Sequence, residues 1–150
     1  SKISDKNEFR KLFIETESDF NELQVAPLTE DCKEFLKKFD IKIWFQQKQN
    51  NWNILSDIKS DKIRILKRET DACCNYSFVI LFKANAARDQ IRLKLIDKRI
   101  YPAILWAIPE DKPYEKDISD RMLSIACDGR YSTNDIIFLK NEFENILRSF

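Results

Sequence analysis

Apolar residues recur at intervals of three and four near the start of the chain. Phe9, Leu12, Phe13, Thr16, Phe20 and Leu23 fall on one side of a helix, so the sequence predicts an amphipathic helix there. Asp5, with Glu8 three residues later, suits its start, and Val25, Ala26 and Pro27 end it. Thr29 carries a hydroxyl that can accept from an orphan backbone N–H, and predicts a short second helix through Phe39. A third helix is expected from Asp40, with Ile41, Trp44, Phe45, Lys48, Trp52 and Leu55 in one broad stripe. Its other face is rich in amides: Gln46, Gln47, Gln49, Asn50 and Asn53.

After a loop over 56–62 the pattern changes. Ile63 to Leu66 predicts a short strand, and Arg68 to Asn75 a polar turn. Tyr76 to Phe82 is a continuous apolar run, too short for an ordinary helix and rich in strand formers, so a buried strand is expected. Asn85 to Arg99 predicts a helix with Ala87, Ile91, Leu95 and Ile96 on one face, and Ile100 to Ile104 or Leu105 a return strand. Pro109 to Asp117 reads as a loop, Ile118 to Met122 as a helical turn and Leu123 to Ala126 as a strand. Asp128, Gly129 and Arg130 predict a turn, in which the only glycine is expected to supply an unusual backbone angle. Ser132 with Asp135 has the spacing of a capping box for a last helix carrying Ile136, Leu139, Phe143, Ile146, Leu147 and Phe150.

Three helices followed by strand–strand–helix–strand–strand–helix define an α/β (α+β) class. The expected architecture is a small, mostly antiparallel sheet packed by helices and preceded by a long linker helix. Residues 1–39 read as an N-terminal helical arm and residues 40–150 as a small α/β domain.

Composition narrows the chemistry. Lys and Arg number 26 and Asp and Glu 25, which leaves no electrostatic footprint for nucleic acid or an anionic membrane. No apolar run approaches the roughly 18 residues needed to span a bilayer. Histidine is absent, which removes Ser–His and Cys–His arrangements and the commonest general base. Cys32, Cys73, Cys74 and Cys127 form no CxxC pair, so no metal site is expected, and free thiols fit a reducing cytoplasm. No signal peptide is visible at Ser1, and the missing Met reads as a processed product or a fragment.

A family resemblance rests on the order of several segments. Phe78-Val-Ile-Leu-Phe-Lys83 is followed by Ala87-Arg-Asp-Gln-Ile-Arg-Leu-Lys-Leu-Ile-Asp-Lys-Arg-Ile-Tyr-Pro102. Arg121-Met-Leu-Ser-Ile-Ala-Cys-Asp-Gly-Arg-Tyr-Ser132 precedes the last helix. Upstream stand Ala26-Pro-Leu-Thr29, Asp40-Ile41 and Asn51-Trp-Asn-Ile-Leu55. Together they resemble the C-terminal domain of the DegT/DnrJ/EryC1/StrS sugar aminotransferases, pyridoxal-phosphate (PLP) enzymes of fold type I. The chain departs from the family at Leu105, where His often stands, at Ala126 for a usual Pro and at Gly129 for a usual Gln.

The resemblance implies the C-terminal domain of a PLP-dependent transferase that acts on a nucleotide-linked keto sugar in polysaccharide or sugar biosynthesis. The cofactor would sit on a missing N-terminal PLP-binding domain, the parent would be a homodimer, and this chain alone would hold no cofactor and no catalytic residue. Asp128, Arg130 and Tyr131 would face the cleft, where a guanidinium fork suits an anionic group. Trp106, with Tyr101 and Pro102, would offer a flat wall to a sugar. For each of these residues the alternative is structural: Arg130 paired to Asp128, and Trp106 as core packing. Arg88 and Asp89 read as an ion pair. The competing function is a non-catalytic binding or assembly module derived from the same fold, which Leu105 and the absent histidine favour.

Overall fold

The computed structural model describes residues 6–19, 26–66, 76–105 and 108–150. The chain divides into two compact units, Ser1–Phe39 and Asp40–Phe150. In the first unit, α1 runs over Lys6–Asp19 and α2 over Glu30–Lys38. The expected extension of α1 to Leu23 lies outside the described residues. Thr29 caps α2 by accepting from the Cys32 N–H at 3.4 Å. Pairs Lys33–Glu30 and Lys37–Glu34 bridge successive turns at 2.5 and 2.7 Å. Phe35 and Leu36 remain exposed.

The second unit starts with α3, Ile41–Ser56, whose cap Asp40 accepts from the N–H groups of Lys42 and Ile43 at 2.9 and 3.1 Å. The predicted apolar stripe is buried only in its second half: Trp52 and Leu55 enter the core, while Ile41 and Phe45 stay exposed. Three strands follow, β1 (Ile63–Leu66), β2 (Phe78–Phe82) and β3 (Met122–Ile125). They form one antiparallel sheet in the order β1-β2-β3, with Ile65 opposite Ile80 and Ile80 opposite Leu123. Alternation along β2 sends Phe78, Ile80 and Phe82 to one face. There they join Leu123 and Ile125 in a core closed by α3, by α4 (Asn85–Asp97) and by α6 (Thr133–Arg148). Ile91 and Leu95 of α4 and Phe143 of α6 are fully buried in it, each stabilising the fold by about 1.5–3 kcal/mol on area grounds. Lys62 ties the loop before β1 to the end of α6 by donating to the Leu147 carbonyl at 2.6 Å.

Helix α4 ends in a Schellman turn. The Ile100 N–H donates to Leu95 O and the Arg99 N–H to Ile96 O, both at 2.9 Å. Arg99 occupies the left-handed position of that turn, with φ of 61°. Ser132 and Asp135 build the expected capping box at the start of α6.

Four expectations are corrected. The return strand over Ile100–Leu105 is reduced to one bridge, Ala103 with Ser124, whose two hydrogen bonds measure 2.8 Å. Beyond it the Leu105 carbonyl accepts from the Ser119 hydroxyl and leaves the ladder. The expected loop and helical turn over 109–122 contain a helix, α5 (Pro113–Arg121). Proline is favoured in the first helical turn, because its missing N–H has no partner to lose there. The pairs Lys116–Asp120 and Asp117–Arg121 then staple its turns. Gly129 has no positive φ, so its role is not an unusual backbone angle. The last helix stops at Arg148, short of Phe150. The predicted polar turn over Arg68–Asn75, including Cys73 and Cys74, lies outside the described residues. Among the described residues no helix is long and apolar enough to cross a membrane.

Candidate functional site

The turn after β3 is seated on α3 by two devices. Asn51, fully buried, donates through Nδ2 to the carbonyls of Asp128 and Tyr131, each at 3.0 Å. Its own carbonyl accepts from Gln47 at 2.8 Å, one helical turn back. Both N–H donors and one of the two carbonyl lone pairs of the amide are used. The second device is the absence of a side chain at Gly129. A Cβ there would lie 2.5 Å from Trp44 Cδ1, so glycine is required for space.

So held, the turn presents a closed ion pair. Arg130 donates from Nε to Asp128 Oδ1 at 2.9 Å and from Nη2 to Oδ2 at 2.7 Å, while its backbone N–H reaches Oδ1 at 3.0 Å. These bonds hold the Asp128 carboxyl below its ordinary range, with smaller help from the Lys48 charge. Arg130 itself is largely exposed, and its guanidinium carbon lies 5.9 Å from the centre of the Tyr131 ring.

Beside this pair opens a cleft of about 410 Å³. Its walls include Trp44, Lys48, Tyr76, Tyr101, Asp128 and Arg130. Lys48 is buried, and its ammonium lies 5.2 Å from the Trp44 ring centre and 5.6 Å from that of Tyr76. Ser77 and Ser124, on the sheet face away from the core, also line the cleft and share a hydroxyl hydrogen bond of 2.7 Å. Leu105 borders it too. A second cleft of about 460 Å³ lies beyond Tyr101, with Tyr131, Phe138 and Ile100 among its walls.

Asp128 and Arg130 therefore share one cleft with Tyr101, whereas Tyr131 lines the neighbouring one. Pro102 is buried. Trp106 lies outside the described residues. Arg88 and Asp89 approach within 2.7 Å, and Arg88 also reaches the Met122 carbonyl. Sequence reasoning missed Lys48, which read as part of an apolar stripe, and Asn51, which entered only as the first residue of the segment Asn51–Leu55. Their positions four and seven residues after Trp44 put them on the same face, and that spacing was the available signal.

These residues do not by themselves build a PLP site. The only glycine is packed against Trp44 and offers no open backbone cradle for a phosphate, and the Asp128 carboxylate is committed to Arg130. Among the described residues no group of three or more His, Cys, Asp or Glu could hold a metal ion.

A small antiparallel sheet with helices on one face defines the class: an α/β domain of the kind found in aminotransferases. Three solved structures share it. The aminotransferase TlmJ of Streptoalloteichus hindustanus matches with a TM-score of 0.58 and 14% identity, over 73% of this chain and 32% of its own. A protein described as a sugar aminotransferase of Streptococcus pneumoniae, solved in its PMP form, matches with 0.59 and 11%, over 71% of this chain and 31% of its own. Helicobacter pylori PseC, an aminotransferase involved in the biosynthesis of pseudoaminic acid, matches with 0.57 and 14%, over 73% and 33%. The chain thus has the fold of part of these enzymes and spans about a third of their length. No protein-family model and no curated protein sequence matches it.

Proposed function

We propose that residues 40–150 act as the small, cleft-closing domain of a PLP-dependent aminotransferase-like protein whose substrate is a nucleotide-linked keto sugar. The reading is carried by one observation: three aminotransferases, two of them tied to sugar chemistry by name, share this fold over about 71–73% of the chain. In this reading Asp128, Arg130, Tyr131 and Trp106 belong to the substrate wall, the cofactor belongs to a preceding domain, and the parent is a cytoplasmic homodimer in sugar or polysaccharide biosynthesis. The chain alone is not expected to transaminate, because the described residues supply no cofactor cradle.

The test is the intact mass of the native gene product, followed by its absorption spectrum and amino transfer to a nucleotide-linked keto sugar. A product well above 17.9 kDa with a PLP-type band and transaminase activity is expected. A native product of this mass without activity overturns the reading in favour of a second one, a binding or assembly module that kept the fold. Leu105 in the cleft wall, in a chain without histidine, supports that alternative.

A further inference from the structure

Arg99 occupies a backbone position that a side chain makes costly. Its φ of 61° lies in the left-handed region, where a Cβ crowds the backbone and glycine does not. The turn itself asks nothing of that side chain. It is closed by backbone bonds alone, from the Arg99 N–H to Ile96 O and from the Ile100 N–H to Leu95 O, and glycine would close it equally well. An outlier kept at a cost points to a use for the side chain. Arg99 stands in the wall of the second cleft, of about 460 Å³. The rest of that wall is mostly apolar, with Ile100, Pro102, Ile125 and Leu139 beside Phe138, which is 55% exposed. The two other charged groups of the wall are already matched. Lys98 reaches Glu142 at 3.1 Å, and Asp135 Oδ2 accepts from the N–H and the hydroxyl of Ser132 at 2.9 and 2.7 Å. Among the described residues Arg99 forms no ion pair, so the wall carries one uncompensated positive charge next to an apolar surface.

We propose that this second cleft binds a monocarboxylate with a small apolar body, Arg99 gripping the carboxylate and Phe138 covering the apolar part. A planar guanidinium fork matches a carboxylate through two parallel hydrogen bonds. One cation balances one carboxylate, whereas a phosphate ester would bring a second charge into apolar surroundings without a partner. The size and lining of the cleft suit a small molecule held by a single polar anchor. The proposal uses neither the Asp128–Arg130 pair nor the reaction proposed above, and it stands whichever of those two readings of function holds.

The test titrates the full chain with 4-phenylbutyrate and octanoate, each against its uncharged amide, read by calorimetry and by backbone amide chemical shifts. The two acids represent an aromatic and an aliphatic body, and the tighter of them identifies which the cleft takes. At least one acid is expected to bind about tenfold more tightly than its amide, to weaken with salt, and to shift resonances centred on Arg99, Ile100 and Phe138. Arg99→Gly removes the strained side chain, so it is expected to fold, to lose that preference for the acid and to bind the amide as before. Phe138→Ala should weaken acid and amide alike. If Arg99→Gly does not fold, Arg99→Asn, which also tolerates the left-handed backbone and carries no charge, is read in its place with the same loss. Equal binding of both acids and their amides overturns the proposal, as do an unchanged preference in a folded Arg99 variant, shifts confined to the cleft lined by Trp44 and Arg130, and no binding at millimolar concentration. Transaminase activity of a parent protein decides the function above independently of any of these results.

Discussion

Asn51 is the residue whose loss the structure prices most directly. Replacement by Leu keeps the branched shape, with bulkier methyl ends, and removes two donors and one acceptor. The Asp128 carbonyl retains the Tyr131 N–H at 3.2 Å, so the larger loss falls on the Tyr131 carbonyl, which gives up its bond to Asn51. Of the three hydrogen bonds lost, the two to the part-buried carbonyls weigh about 1 kcal/mol each while half-buried Gln47 turns to water, and the sum is about 2–3 kcal/mol after the gain from a more apolar side chain. For a domain of this size that lowers Tm by roughly 8–12 °C. Asn51→Asp is the sharper probe, because it turns an oxygen toward two carbonyl oxygens and buries a charge, so its loss should exceed that of Asn51→Leu. All three tryptophans lie beyond residue 40, so urea unfolding followed by tryptophan fluorescence reports the second unit alone. A cost below about 0.5 kcal/mol for Asn51→Leu, or a milder effect for Asn51→Asp, would refute the view that this amide seats the turn.

Gly129→Ala places a methyl where the Trp44 indole sits, and should cost about 1–3 kcal/mol by overpacking while shifting the emission of Trp44; an unchanged urea midpoint and spectrum would contradict the steric argument. Arg99→Gly relieves the left-handed backbone at the end of α4 and should raise stability by up to about 1 kcal/mol, visible as a higher urea midpoint. Asp128 and Asp135 both have lowered carboxyl pKa values, through hydrogen bonds from Arg130 and from Ser132 respectively. The unfolded chain therefore binds protons first as pH falls, and their contribution, complete above about pH 5, is lost as pH drops through the lowered values. Melting curves between about pH 6 and pH 2 should show that loss, and Asp128→Asn should flatten it.

Much of the fold was legible because local chemistry set it. Thr29, Asp40 and Ser132 carry side chains that cap helices wherever the chain turns, and all three do so. The run Phe78–Phe82 had to be buried on both faces or not at all. Pro113 misled, since a proline reads equally as a loop residue and as the first residue of a helix, and only the charge pairs one turn apart distinguish the two. Ile100–Leu105 looked like a strand by composition, yet strand length depends on a partner edge that composition does not contain. The site was less legible than the fold. Asp128 and Arg130 stood out as a turn, and their mutual pairing, one of the two readings open from the sequence, is the one the structure shows. Lys48 and Asn51 were invisible as polar features of a core because burial is a property of what packs against α3 from 80 residues away.

That last distance has a consequence for how the unit assembles. Helix α3 lies against α6, and Asn51 closes on carbonyls at 128 and 131, while β2 and β3 are neighbours in space with α4 and α5 between them in the chain. Contacts of such separation demand loop closure before they return any energy, which slows folding relative to a helical bundle of equal size. Until α6 emerges, only α3 and α4 can cover Phe78, Ile80 and Leu123, and the part of the core that Phe143 and Ile136 fill stays open. During synthesis the unit is therefore an exposed, unfinished core through most of its length, and it becomes a folded body at one late moment.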